Sequence, residues 1–368
     1  MAPSARNGKV EFLRFFFSCL IILNHAQSIM PTAALTDRFK GFSFAVEFFF
    51  LVSGYLMMAH IEKVEQRGSS LTLGKETGLF IFKKFKSVYP EMAIAYIIAL
   101  SCSAVATARP ITTVFANTWS EVFLIASTGV RFSVVNAATW YISSMLLCMT
   151  LLYPLIRKYK DMVVRIVLPV MALLILGYMA QNLGTPRNPS HWIGWIFRGN
   201  LRAMAELSLG ALCYYVSKRI RSWSLNLFGR ILLTLVETGI YAIYVYYMAS
   251  VVSSKKDYLI LMLLCVAVSI TFSQQGIGSA LFNNRFCSFL GKYSLSLYLG
   301  HRFYPSYFED LFPFTAEWRV RYSFLFYIAL SFATGALIML ISSLLRKYGG
   351  KITGAAKKLV LKPSASAE

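Results

Sequence analysis

Two ionisable side chains, Arg14 and His25, lie inside the first apolar stretch of the chain, Phe-Leu-Arg-Phe-Phe-Phe-Ser-Cys-Leu-Ile-Ile-Leu-Asn-His. A neutral imidazole can take a proton from a hydroxyl near neutral pH, and a guanidinium can hold an anion. Position 25 follows position 14 by eleven residues. At about 100° per residue such a step returns to within about 20° of its starting direction, with a rise of about 16 Å. On a helix the pair therefore shares one face, three turns apart. Ionisable groups are costly in hydrocarbon, so that face turns to a protein interior or a wet cavity.

Membrane helices are the elements that must position the pair. The 368 residues are 57% apolar with a mean hydropathy of +0.57, beyond an ordinary soluble domain. Apolar runs of about 17 to 25 residues predict helices near 12–30, 42–60, 89–107, 139–156, 162–180, 201–217, 231–250, 258–275, 289–308 and 322–345. The fold class expected is all-α, a polytopic membrane bundle of about ten transmembrane helices, with an interfacial or re-entrant helix at 111–128. Arg14 interrupts what would be the apolar core of a secretory signal, so the first segment is expected to be retained. One membrane domain fills 1–345, and the basic, polar residues 346–368 read as a disordered cytoplasmic tail.

The net charge of +21 does not point to nucleic acid, because the 37 basic residues fall mainly in short loops between apolar runs. With the N-terminus cytoplasmic, the inside loops carry more than twice as many Lys and Arg as the outside ones. That asymmetry puts both termini in the cytoplasm. Five of six cysteines lie in apolar runs and none forms a CxxC pair, so neither a disulfide framework nor a metal site is expected.

In this topology His25 lies about two thirds of the way across and Arg14 near the cytoplasmic mouth. Glu47, early in the second helix, and His301, in the ninth, come to nearly the same depth as His25. The three suit proton abstraction from a hydroxyl, with His25 as base and Glu47 orienting it. Packing readings stand beside this: a membrane histidine bonded to a helix carbonyl, and Arg14 as a snorkelling anchor. Glu206 and Glu237 also fall in apolar runs, with Arg202 or interface lysines as their expected partners. Leu71 to Lys86 mixes Leu79, Phe80, Ile81, Phe82 and Phe85 with Lys75, Lys83, Lys84 and Lys86. This is a basic amphipathic helix suited to anionic lipid or an anionic cofactor. A proton-coupled transporter could use the same buried Arg, His and Glu but predicts two matched halves, and no internal repeat is visible. An inert scaffold or sensor would tolerate loss of His25.

Arg14 and His25, separated by ten residues, resemble the Arg-x10-His motif of the acyltransferase-3 family of integral-membrane acyltransferases. Further segments follow in order: Val46 to Leu56 is similar to an acidic-Phe-Phe-x-x-Ser-Gly-Phe signature, and Trp140-Tyr141-Ile142 to a Trp-aromatic start of a middle span. Arg202 followed by Glu206 to Gly210 resembles an Arg-to-Phe-x-x-Gly segment, and Gly291 to His301 a Gly-Lys-x-Ser-Tyr-x-x-Tyr-Leu-x-His block. Where the family commonly has Arg-x-x-Arg before Tyr-Pro, this chain has Lys83, Lys84 and Lys86 before Tyr89-Pro90. Lysine lacks arginine's bidentate fork.

The resemblance implies transfer of an acyl group, most often acetyl, from acetyl-CoA or another acyl-CoA to a hydroxyl. The acceptor would be a cell-surface glycan, a lipid-linked sugar or a small molecule, and the setting a bacterial plasma (inner) membrane. Arg14, Lys83, Lys84 and Lys86 would hold the donor's phosphates. His25 would activate the acceptor, Glu47 would orient His25, and Asn24 or Tyr298 would stabilise the oxyanion.

Overall fold

The computed structural model describes residues 7–29, 37–130, 133–187 and 191–360. Helix α1 (Gly8–Ala26) starts where the Asn7 side chain accepts the amide N–H groups of Lys9 and Val10, at 3.2 and 3.4 Å. That cap satisfies donors which a helix start otherwise leaves open. After a 3₁₀ segment, Asp37–Ala45, come α2 (Val46–Arg67), α3 (Leu73–Ala106), the short α4 (Ile111–Val122) and α5 (Thr139–Lys158). A turn at Lys160–Met162 and a π segment at Val163–Val167 lead into α6 (Leu168–Asn182). A hairpin of two short strands, Trp192–Ile193 and Ile196–Phe197, precedes α7 (Arg198–Arg221). The order ends with α8 (Leu227–Ser250), α9 (Asp257–Ser273), α10 (Arg285–Gly300), α11 (Tyr304–Leu311) and α12 (Ala316–Val360).

The all-α expectation holds apart from that hairpin. By length and apolarity, six of the described helical segments can cross a bilayer: Phe39–Arg67, Leu73–Ala106, Thr139–Lys158, Lys160–Asn182, Leu227–Ser250 and Ala316–Tyr348. Six of the expected ten spans are thus matched by length and apolarity. Helices α1, α7 and α10, which lead to or carry the candidate residues, fall outside that set. Enclosure by protein accounts for their polarity. Helix α7 contacts α2, α5, α6 and α9, and α1 lies along α10. By contrast, only 17% of the apolar window of α8 is buried, against 72% for the α2 segment, so α8 is peripheral and α2 central.

Two glycines let α2 and α7 close on each other. A Cβ on Gly54 would stand 2.1 Å from the Leu207 carbonyl oxygen, and one on Gly210 would stand 2.2 Å from that of Leu51. Both distances are far inside contact, so the backbones touch where these residues face. Stacked Phe17 and Phe48, with centroids 4.5 Å apart, fasten α1 to the same unit.

Two boundaries differ from expectation. The span read as 289–308 is broken after Gly300, and α11 begins at Tyr304 with Pro305 in its first turn. Proline there gives up no helical hydrogen bond, which makes it a natural restart. The last helix, expected to end near 345, continues to Val360. Of the tail expectation, residues 361–368 lie outside the described residues. Gly54→Ala or Gly210→Ala should destabilise the detergent-solubilised protein by about 1–3 kcal/mol through overpacking. Gly74→Ala is the control, since nothing lies within 4 Å of its Cβ position; a thermal melt that leaves all three alike would refute the close-contact account.

Candidate active site

Two cavities lie along α1. One, of about 530 Å³, is lined by Glu11 and Arg14 of α1, Lys84 and Ser87 of α3, and Ser53 and Tyr141. The other, of about 490 Å³, is lined by Asn24 and His25 together with Arg187, Arg202, His301 and Arg302. Val46 and Tyr298 line both. The α1 face expected from sequence is therefore real, with Arg14 opening on one cavity and His25 on the other.

His25 and His301 are neighbours, their ring centroids 5.3 Å apart and their planes tilted by 31°. His301 is fully buried, and its Nδ1 lies 2.7 Å from the Tyr298 carbonyl oxygen. A carbonyl only accepts, so Nδ1 carries the proton and Nε2 keeps a lone pair. That Nε2 is buried without a hydrogen-bond partner. A short chain of bonds holds this end of α10. The Asn136 amide donates to the Leu299 carbonyl at 2.8 Å, and buried Glu121 accepts the backbone N–H groups of Val135 and Asn136 at 2.9 and 3.3 Å.

Glu47 does not take up the position expected beside His25. It is fully buried, and its Oε2 accepts from Arg202 Nε at 2.7 Å and again from an Arg202 terminal nitrogen. Arg202 Nε also reaches Glu206 Oε1 at 3.2 Å. The guanidinium stands 5.6 Å from the Trp140 ring centroid, a cation–π distance. A common depth had suggested a Glu47–His25 pair, but a charge sealed from water goes to the partner that neutralises it. The other two acids behave as read from sequence: Glu206 pairs with Arg202, and Glu237 with Lys9 at 2.6 Å.

Of the three candidate donor-binding lysines, Lys84 alone lines the Arg14 cavity, whereas Lys83 and Lys86 are exposed. Arg14 itself is held 3.3 Å from Glu11, one turn before it. Among the expected oxyanion donors, Tyr298 spends its hydroxyl on the Ala138 carbonyl at 3.0 Å. Asn24 is set the other way: its Oδ1 accepts the Ser43 amide N–H at 3.0 Å, which leaves its NH₂ as the donor end. Sequence reasoning did not bring Arg187 and Arg302 to the His25 cavity, because a charge count places both merely in outer loops. Nearness in sequence to His301, for Arg302, or to Gly184 and Pro186, for Arg187, carries no depth signal. Among the described residues no group of three His, Cys, Asp or Glu comes together as a metal-holding set.

A model of the acyltransferase-3 family, described as an acyltransferase domain, matches residues 7–345. The chain belongs to the acyltransferase-3 family. No curated protein and no solved structure matches it. The protein is thus a membrane acyltransferase, which needs an acyl donor and an acceptor, and it carries two adjoining cavities along the helix that bears Arg14 and His25. Its buried ion cluster makes a stability prediction. Arg202→Met strands two buried acids and should cost about 3–5 kcal/mol. Glu206→Gln keeps an acceptor for Nε and should stay within about 1 kcal/mol. Thermal unfolding in detergent checks both, and equal losses would contradict the assigned bonding.

Proposed function

We propose that this acyltransferase moves an acyl group, most often acetyl, from acyl-CoA to a hydroxyl of a cell-surface glycan or lipid-linked sugar. The setting we propose is a bacterial plasma membrane, with both termini cytoplasmic and the ten apolar or enclosed helices spanning it. One observation carries the reading: a cavity lined by Arg14 and Lys84, with Glu11 beside Arg14, meets a cavity with two imidazoles at His25, and among the described residues Val46 and Tyr298 belong to both. Such a pair suits a donor on one side and an acceptor on the other.

Arg14 and Lys84 hold the donor's phosphates, with Lys83 and Lys86 adding long-range attraction from their exposed positions. The thioester reaches the partition at Val46 and Tyr298. His25 takes the proton of the acceptor hydroxyl, and the oxygen attacks the thioester carbonyl. The amide of Asn24 steadies the negative charge that develops on the carbonyl oxygen. The C–S bond then breaks, the coenzyme A thiolate leaves, and the proton held by His25 returns to it. His301 contributes a lone pair with a fixed direction, which accepts a hydrogen bond from the acceptor. Glu47 acts at a distance by holding Arg202 in the wall. Transport is set aside because the family is one of acyltransferases.

Label transfer from radiolabelled acetyl-CoA to host glycan, by protein in nanodiscs, tests the scheme. His25→Ala should lower kcat by about 10²- to 10⁴-fold, the usual worth of a positioned base. Lys84→Ala should raise the donor KM by about tenfold, more than Lys83→Ala or Lys86→Ala, as loss of a charged hydrogen bond does. Undiminished transfer by His25→Ala sinks the mechanism, and a labelled acyl-enzyme trapped without acceptor would replace direct transfer by a covalent relay.

A further inference from the structure

The His25 cavity has a charge pattern that a neutral sugar does not require. Its lining includes Lys40, Arg187, Arg202 and Arg302 and, among the described residues, no Asp or Glu. Two of these arginines are already neutralised from behind. Arg187 donates to Asp257 through Nε at 2.8 Å and a terminal nitrogen at 2.7 Å, and Arg202 is bound to Glu47 and Glu206. Arg302 differs. Its described hydrogen bond is a 3.4 Å contact with the Ser306 hydroxyl, and no carboxylate of the described residues lies within ion-pair distance. A half-buried guanidinium beside a cavity, with one long neutral contact, is suited to bind an anion.

Arg302 immediately follows His301, whose buried Nε2 lone pair also lacks a partner. The two groups, both on residues that line one cavity, ask for complementary features in one ligand: an oxyanion for the guanidinium and a hydroxyl hydrogen for the imidazole. We propose that the acceptor is an acidic sugar, bearing a carboxylate or phosphate that Arg302 binds while a neighbouring hydroxyl meets His25 and His301. This deepens the proposed function by naming its acceptor class, and it rests on that reading for the identity of the cavity. Arg302 is on this view a specificity residue. It touches the acceptor's charge, takes no part in proton transfer, and sets which hydroxyl faces the imidazoles.

The test is equilibrium binding to the full-length protein in nanodiscs, which reads the cavity without requiring turnover. The probes are a glucuronate-terminated tetrasaccharide, its methyl ester, and the same oligosaccharide ending in glucose 6-phosphate or in glucose. Wild type should bind at least one anionic form about 10- to 100-fold more tightly than the ester and the glucose form, as expected for a charged bidentate contact. The carboxylate and phosphate arms tell which anion is preferred. Arg302→Gln should bind all four alike, and Arg302→Lys should recover part of the preference. The ester comparison uses unaltered protein, so it stands even where a variant folds poorly. Equal wild-type affinity for charged and neutral probes overturns the proposal, as does an anion preference that survives in a folded Arg302→Gln. A preference for the acidic probe without acyl transfer to it would instead count against the proposed transfer reaction and leave the anion site standing.

Discussion

A guanidinium sealed completely from solvent has no stable place unless its charge is met by hydrogen-bonded acids, and Arg202 satisfies that demand with Glu47 and Glu206. Glu206 is on its own helix, one turn on, whereas Glu47 is on α2. The ion cluster therefore ties α7 to α2, the pair that Gly54 and Gly210 allow into backbone contact. Neither device is sufficient alone. Glycine permits close approach but supplies no attraction in an apolar medium, and the ion pair attracts but would be held apart by ordinary side chains. Because α7 also contacts α5, α6 and α9, this joint fixes the centre around which the more lipid-facing helices are arranged. Arg202 simultaneously forms part of the His25 cavity wall, so the interaction that closes the fold also shapes the site.

The interruption after α10 follows the same logic of satisfied backbone groups. A helix end leaves its last carbonyls open, and here two of them are taken by the site's own supports: Tyr298 by His301 Nδ1 and Leu299 by the Asn136 amide. A continuous helix would have used those carbonyls internally and left His301 Nδ1 without its acceptor. Breaking the helix thus fixes the tautomer of His301 and sets Arg302 beside the same cavity. The negative end of the helix dipole favours the Arg302 guanidinium at this place.

Helical period made the Arg14–His25 face legible, since the angle depends on counting alone. The Arg202–Glu206 pair was legible for the same reason, being one turn apart. Glu47 was not, because depth in a membrane does not give azimuth. Only the packing of α2 on α7 shows that it faces Arg202 and not His25. The ten-span reading treated enclosure by lipid and enclosure by protein as one signal. Helices α1, α7 and α10 are buried by neighbours and so tolerate charges that a lipid-facing helix would not, which, with the shortness of α10, keeps them out of the six long apolar spans. The basic stretch held a finer signal than total charge: Lys84, Ser87 and Val88 recur at helical spacing and all line the Arg14 cavity, while Lys83 and Lys86 fall off that face.

Val46 and Tyr298 line both cavities, and both residues are pinned from outside. Val46 is the first residue of α2, immediately before Glu47, so the salt bridge to Arg202 anchors the backbone that carries one half of the partition. Tyr298 carries the other half, its hydroxyl bonded to Ala138 and its ring flanked by Phe49 and Tyr141 at 6.2 and 6.1 Å. A contact between side chains such as these can open to a reacting group without a helix moving, since side-chain rotation is far faster than helix displacement. On the proposed scheme, in which donor and acceptor come from opposite directions, anchored supports at Val46 and Tyr298 suit the reaction, because water reaching the thioester would compete with the acceptor hydroxyl.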